Sequence, residues 1–500
     1  MAGIAEWVCC PGALTPPLYR TLAGCPVIHR WAVSDPHTAA YFALGRVQAT
    51  ARPVVVVAGS GADAAAMLPA VEEAYYERRP LIVLTTAEHG DNSGSGAPHT
   101  AEAENLFGLF APTHTLELPC AVSDLPDFVG MLAEGFPLHL HLRLNSEALR
   151  CHGDFSHTEV GEAPAPPAFR GSLVALSQML RFRAVEGLVL VLGALEPAEQ
   201  EPVLWLAQTL RVPVLAEAAS GLREELAPYL LHDAAALLRA CPPRYVLRVG
   251  DVPRDPFWRL LEDMPETEVY SITRTGFSGL NRPSTVIEGE PEQIMKALGD
   301  VPGIGDTERL LPRSRHNAGR TEEDILAAPE SDAALVRAIS NYAALADVIC
   351  LGSPTVTELW NRCAQTQIAT LYVRDLASRS SAGVLASFLG NAADAPSAFC
   401  LLGDIALLRD ATAPAQLLHE LPEGKRIIAV LNNNGAAQAR EESAEDMEWE
   451  RLMMQPPALS VADIAALWGA EYYSIRSESD LEVLDGIEDA ATVLLELLPE

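Results

Sequence analysis

Short unbroken runs of aliphatic and β-branched residues recur along this chain. Among them are Pro53–Ala58 (PVVVVA), Pro80–Thr86 (PLIVLTT), Leu188–Leu192 (LVLVL), Asp347–Leu351 (DVICL) and Arg426–Leu431 (RIIAVL). They are too short for helices, and a strand that is apolar at nearly every position has to be covered on both faces. The intervening stretches have helical spacing: between residues 35 and 50, Ala39, Phe42, Ala43 and Val47 fall on related turns. Strands buried on both sides and joined by helices predict a doubly wound, parallel-sheet α/β fold. Further strands are expected at Pro26–Ile28, Pro137–Leu142, Pro213–Ala216, Tyr245–Val249, Ile368–Val373 and Ala398–Leu402, with an Ala-rich helix from Gly61 through Glu73.

The chain has 500 residues, which calls for several domains at about 100–200 residues each. Residues 161–168 (GEAPAPPA) read as a stiff Pro-rich linker. Residues 301–331 mix Gly, Pro and charge and read as a second linker, with at most a short helix. The expected division is a first domain over 1–160, a central domain over 169–305 and a third over 331–500, all of α/β type.

Acidic residues number 67 against 35 basic, for a net charge of −32, and the only lysines are Lys296 and Lys425. Such a surface has no electrostatic footprint for nucleic acid or anionic membrane, while a pocket can still be locally positive. No leader peptide and no apolar run long enough to span a bilayer stands out. The nine cysteines are scattered and form no C-x-x-C pair, which reads as reduced, buried thiols in a cytoplasmic protein. His139 and His141 alternate along one strand; lacking a third ligand, they read as structural rather than as a metal pair. The acidic run Glu441–Glu450 reads as a solvated helical face, with a lid as the alternative.

The most informative pattern lies in the third domain. One buried strand ends in Gly403-Asp404, and the next ends in Asn432-Asn433-Asn434-Gly435. Ligands of open α/β sheets bind at the C-terminal ends of strands. Gly403 permits close backbone approach, Asp404 offers a carboxylate oxygen, Asn433 an amide oxygen and Gly435 a carbonyl. Mg²⁺ takes near-octahedral oxygen ligation shared with phosphates and water. Asp404, Asn433 and Gly435 are therefore the expected metal set of a diphosphate clamp. Either half alone is also ordinary turn chemistry; the conjunction points to the clamp.

This G-D and N-N pattern resembles the thiamin-diphosphate-binding signature, and three α/β domains are that superfamily's architecture. Within it the chain is similar, almost end to end, to the 2-succinyl-5-enolpyruvyl-6-hydroxy-3-cyclohexene-1-carboxylate (SEPHCHC) synthase family. The similarity is carried by Cys10–Leu18 (CPGALTPPL), Ser60-Gly61-Ala62, Leu68–Ala74 (LPAVEEA), Asn105–Gly108 (NLFG), Pro213–Glu217 (PVLAE), Ser220–Arg223 (SGLR), Leu247–Pro253 (LRVGDVP) and Gly403–Asp410 (GDIALLRD). The resemblance implies a transferase of menaquinone biosynthesis that uses thiamin diphosphate and Mg²⁺. Such a carboligase decarboxylates 2-oxoglutarate and adds the product to isochorismate. It also implies small anionic substrates and a site shared between subunits of a homodimer or homotetramer. The cofactor-binding residues it implies are Ser353, Gly403, Asp404, Ile405, Ala406, Asn432, Asn433, Asn434 and Gly435. Those implied to meet substrate are His99, Arg254, Arg374 and Arg379.

The departures from the family fall where the chemistry should be. Pro36 occupies the position of the activating glutamate and has no ionisable group. Asp35 precedes it, with a shorter side chain and a backbone biased to extended geometry by the proline. Leu14 and Thr357 stand where the resemblance places substrate-binding arginines, His99 where it places a glutamine, and Gln438 lies where it places bulky aliphatic support. Three readings follow: a divergent but active carboligase, a thiamin diphosphate enzyme for a different and less anionic 2-oxo acid, and a non-catalytic homologue acting as a binding or scaffold protein.

Overall fold

The computed structural model describes residues 3–88, 105–120, 125–144, 159–366, 370, 373–375, 381–435, 452, 460–487 and 491–500. The chain forms three parallel-sheet α/β domains. The first sheet contains β1 (Glu6–Cys9), β2 (His29–Ala32), β3 (Val54–Val57), β4 (Leu81–Glu88), β5 (Thr113–Leu118) and β6 (Leu138–Leu144), in the order β2-β1-β3-β4-β6-β5. The second contains β7 (Leu188–Leu192), β8 (Val214–Ala216), β9 (Tyr245–Val249), β10 (Glu268–Thr273) and β11 (Thr285–Glu288), in the order β11-β10-β9-β7-β8. The third contains β12 (Val348–Leu351), β13 (Val373–Asp375), β14 (Ser397–Gly403), β15 (Lys425–Leu431), β16 (Glu471–Ile475) and β17 (Thr492–Leu497), in the order β13-β12-β14-β15-β17-β16. The first and third sheets thus share one strand order.

The inner strands are buried at every position, as in β3 and β7, because helices cover both faces. The edge strands alternate instead: β5 (THTLEL) exposes alternate residues from Thr115 onward. By packing, the chain groups into two compact units. One comprises Met1–Pro167, Ala377–Asp394 and Arg409–Pro422; the other comprises Ala168–Leu376, Ala395–Leu408 and Glu423–Glu500. Two helices of the third domain, Val384–Asn391 and Ala413–Leu417, therefore belong to the same unit as the first sheet.

Several local expectations need correction. Pro26–Ile28 is not a strand; β2 begins at His29, and Ile28 packs with Leu22 and Cys25. The Ala-rich helix divides into Gly61–Ala66 and Leu68–Tyr76, because Pro69 lacks the N–H that a continuous helix would need. The second linker carries a helix of 17 residues, Leu311–Ala327, rather than a short one. The strand expected at Ile368–Val373 is described only as β13, starting at Val373; residues 367–369 and 371–372 lie outside the described residues. The run Glu441–Glu450 also lies outside them.

In the first unit, helix Pro36–Thr50 crosses helix Val384–Asn391 at glycines. A Cβ on Gly45 would overlap the carbonyl oxygen of Ser387, and one on Gly390 would overlap that of Phe42. Beside the crossing, Arg46 is only 2% exposed. Its guanidinium donates to both carboxylate oxygens of Glu6 at 2.7 Å, to Asp394 at 2.6 Å and to the Gly390 carbonyl at 3.2 Å. Asn391 donates to Gln48 at 2.6 Å and extends the polar seam. Gly390→Ala should cost about 1–3 kcal/mol by overpacking, read as a lower urea midpoint.

The two strand histidines are structural. Thr85 Oγ1 on β4 lies 2.8 Å from His139 Nε2 and 2.8 Å from His141 Nδ1, and Thr113 Oγ1 on β5 lies 2.9 Å from His139 Nδ1. Burial, with smaller repulsion from His141 and His114, pushes the His139 pKa down to about 4. Its ordinary value is 6.5, so the unfolded chain takes up the proton first. Stability from this residue is intact above pH 6.5 and is lost as pH falls toward 4. The loss reaches at most about 3 kcal/mol. Urea unfolding between pH 7.5 and 4.5 should therefore lose midpoint more steeply in the native chain than in His139→Gln.

Candidate active site

In the second unit, three adjacent strands of the third sheet bring the expected cofactor residues to one edge. The strand order reverses between β12 and β14, which is where open α/β sheets leave a crevice at their C-terminal ends. Ser353 follows β12 and caps helix Pro354–Cys363, its Oγ accepting the Val356 N–H at 3.4 Å. β14 ends on Gly403, and helix Asp404–Arg409 starts without an intervening loop, with Ile405 and Ala406 in its first turn. The crevice is open at Gly403: a Cβ there would meet only Ser353 Oγ, at 3.7 Å.

Asp404 is 4% exposed, and its Oδ2 accepts the Gly435 N–H at 2.7 Å. Its Oδ1 lies 2.8 Å from the Ile405 N–H. Burial raises the Asp404 carboxyl above its ordinary pKa, and these backbone N–H groups pull it back. The loop after β15 curls toward it through left-handed backbone at Asn434 (φ 61°) and Gly435 (φ 101°). The asparagines of this loop divide their work. Asn432 donates to Glu496 at 2.6 Å and accepts the Asn434 N–H at 3.1 Å, while Tyr472 also donates to Glu496. Asn432 thus buttresses the loop, and the Asn433 side chain takes no part in this network. A carboxylate oxygen, an amide oxygen and a carbonyl at an open glycine cradle fit a Mg²⁺–diphosphate group.

The same reversal is sealed in the other two sheets. A Cβ on Gly12, after β1, would overlap the Gly59 carbonyl beyond β3; one on Gly193, after β7, would overlap the Asp251 carbonyl beyond β9.

The first unit holds the start of helix Pro36–Thr50. Pro36 occupies its first position. Asp35 is the N-cap, its carboxylate accepting the Thr38 N–H at 2.7 Å, so its charge is committed to the helix. Gln416 Oε1 accepts from Ser34 Oγ at 2.8 Å and from the Asp35 N–H at 2.9 Å. Asp410, which closes the GDIALLRD run, was not singled out from the sequence. It is 4% exposed and accepts the N–H groups of Gly383 (2.7 Å) and Leu385 (2.9 Å) at the start of helix Val384–Asn391.

The residues expected to meet substrate separate. Arg374 forms a two-pronged ion pair with Glu196 at 2.9 and 2.7 Å, so its guanidinium is occupied within the protein. Arg254 lines a cavity bounded by the central domain, helix Leu311–Ala327 and helix Pro354–Cys363. Thr357 is 2% exposed. His99, Arg379 and Gln438 lie outside the described residues.

Residues 1–106 match the model of the thiamine pyrophosphate enzyme N-terminal TPP binding domain. The chain is 43% identical, over all of its length and 94% of the relative's, to a 2-succinyl-5-enolpyruvyl-6-hydroxy-3-cyclohexene-1-carboxylate synthase of Akkermansia muciniphila. This chain belongs to the SEPHCHC synthase family. Another family member, from Myxococcus xanthus, is 28% identical over 97% of this chain and 90% of its own. Among solved structures, a thiamin diphosphate-dependent enzyme from Mycobacterium smegmatis superposes with a TM-score of 0.73 at 17% identity, covering 99% of this chain and 96% of its own. Benzoylformate decarboxylase from Polynucleobacter necessarius gives 0.73 at 14%, covering 99% and 95%. These two show the fold alone.

Asp410→Ala would leave two backbone N–H groups at a helix start without their charged acceptor. It should destabilise the protein by at least about 2 kcal/mol in urea unfolding, and Asp410→Asn by less.

Proposed function

We propose that this protein is a thiamin diphosphate- and Mg²⁺-dependent carboligase that decarboxylates 2-oxoglutarate and transfers the remaining unit to isochorismate. The observation that carries the reading is the convergence of Ser353, Gly403, Asp404, Asn433 and Gly435 at the open strand-order reversal, in a chain 43% identical to a relative named for that synthase. Asp404, Asn433 and the Gly435 carbonyl hold the metal, and Gly403 and Ser353 admit the diphosphate. When bound, thiamin diphosphate supplies the electron sink that 2-oxo acid decarboxylation requires. Asp404 needs to be ionised for this task; burial raises its pKa, and the backbone N–H groups on its oxygens oppose that rise. Asp35 caps helix Pro36–Thr50 and Pro36 has no proton to give, so position 36 itself provides no acid–base group. We place the enzyme in the cytoplasm, as a homodimer or homotetramer.

That engaged Asp35 beside Pro36 also favours a second reading, in which the protein binds the cofactor without turnover. Calorimetric titration with thiamin diphosphate and Mg²⁺, followed by CO₂ release from 2-oxoglutarate with isochorismate present, separates the two. Binding with turnover is expected; binding alone selects the second reading, and no binding at millimolar cofactor sinks both. Turnover only with a less anionic 2-oxo acid would follow from Leu14 and Thr357. Pro36→Glu should raise kcat by about 10²-fold, the usual scale of a restored acid–base group.

A further inference from the structure

β17 (TVLLEL) carries one ionisable residue, Glu496, and lies between β15 and β16 in the third sheet. Val493, Leu495 and Leu497 pack into the third domain's core, while Glu496 shares the opposite face with the fully buried Leu494. Glu496 itself is only 9% exposed. A buried carboxylate is costly unless its oxygens are hydrogen-bonded, and an apolar residue would suit an inner parallel strand better. Its place in the sheet gives it work. It pairs with Ser474 on β16 and with Val430 on β15, two residues before Asn432.

Both carboxylate oxygens are engaged, one from each neighbouring strand. Oε1 accepts from Asn432 Nδ2 at 2.6 Å, and Oε2 accepts from the Tyr472 hydroxyl. Burial and the bond to Glu496 push the Tyr472 hydroxyl up to about 12, so it remains a donor. An ionised carboxylate only accepts, so Asn432 turns its NH₂ group toward Glu496 and its amide oxygen the other way. That oxygen accepts the Asn434 N–H at 3.1 Å. Asn434 and Gly435 hold left-handed backbone, at φ 61° and 101°, and the Gly435 N–H reaches Asp404 Oδ2 at 2.7 Å. A non-glycine residue stays in that region where its surroundings fix it, and the bond from Asn432 is one such constraint. A polar chain therefore runs from Tyr472 through Glu496 and Asn432 to the turn that meets Asp404.

We propose that Glu496 is a positioning residue for the metal site: by holding the Asn432 amide it sets the turn that carries Asn433 and brings Gly435 to Asp404. The inference rests on the reading of that turn as part of the Mg²⁺–diphosphate cradle. With both oxygens spent, Glu496 acts through Asn432 rather than on the metal. Its test titrates Mg²⁺ by calorimetry into the full-length protein with thiamin diphosphate present. Glu496→Gln keeps the size but lets either amide atom face Asn432. It should weaken Mg²⁺ binding by about tenfold, the scale of residues that orient metal ligands, and Tyr472→Phe should weaken it by less. Asn432→Ala should cost about as much as Glu496→Gln, and adding Glu496→Gln to it should change the affinity by less than about twofold further, because the effect passes through Asn432. A purely packing role would instead lower the melting temperature of the cofactor-free protein and leave the Mg²⁺ affinity of the folded chain unchanged. Native affinity in both Glu496→Gln and Tyr472→Phe, or an undiminished effect of Glu496→Gln in the Asn432→Ala background, would overturn the proposal. Should Glu496→Gln fail to fold, Tyr472→Phe decides alone. A native chain that binds no Mg²⁺ with thiamin diphosphate at millimolar concentration overturns the cradle reading and this inference with it, whereas native binding with indifferent variants overturns this inference only.

Discussion

A parallel strand with apolar residues on both faces has to be roofed on both sides, and this requirement organises the whole chain. It forces each strand to be followed by a long crossover, and it places all C-terminal strand ends of a sheet on one edge. The third sheet gains its crevice from that geometry alone. β12 and β14 are neighbours whose following segments leave in opposite directions, so Ser353 and Gly403-Asp404 face a gap that neither segment fills. The chemistry is then a matter of which residues stand at those ends.

Polar groups set the details that apolar packing leaves open. In the first unit, Arg46 collects Glu6, Asp394 and a helix carbonyl, joining residues far apart in the chain next to a crossing that only glycines allow. Asp394 is largely exposed and Glu6 also accepts the Trp31 indole N–H at 2.8 Å, so the node is shared between several donors and acceptors. In the second unit, Arg374 and Glu196 do comparable work. Asp404 differs: its partners are backbone N–H groups on flanking turns, which leaves lone pairs for a ligand.

Much of this was legible in the sequence, for physical reasons. PVVVVA and LVLVL announce inner strands because burial on both faces tolerates little else, and G-D with N-N-N-G announces strand ends that carry chemistry. The edge strands β5 and β16 did not stand out, because water on one side lets polar residues in and removes the contrast. The pairing of helix Pro36–Thr50 with helix Val384–Asn391 left only small residues as its trace. Arg374 looked available for a substrate carboxylate; its partner lies 178 residues away, beyond any local pattern. The division of labour between Asn432 and Asn433 depends on Glu496, a residue that nothing in the N-N-N-G run points to.

Two sheets with one strand order, and a third closely similar, amount to the same socket made three times. In the first and second domains a neighbouring carbonyl fills the space that a glycine leaves, so the backbone itself is the plug. At Gly403, by contrast, a Cβ would meet no carbonyl, only Ser353 Oγ at ordinary contact distance. Repetition of the fold therefore does not repeat the opening: among the described residues the third sheet keeps its crevice at Gly403, while backbone carbonyls occupy the comparable space beside Gly12 and Gly193 in the other two.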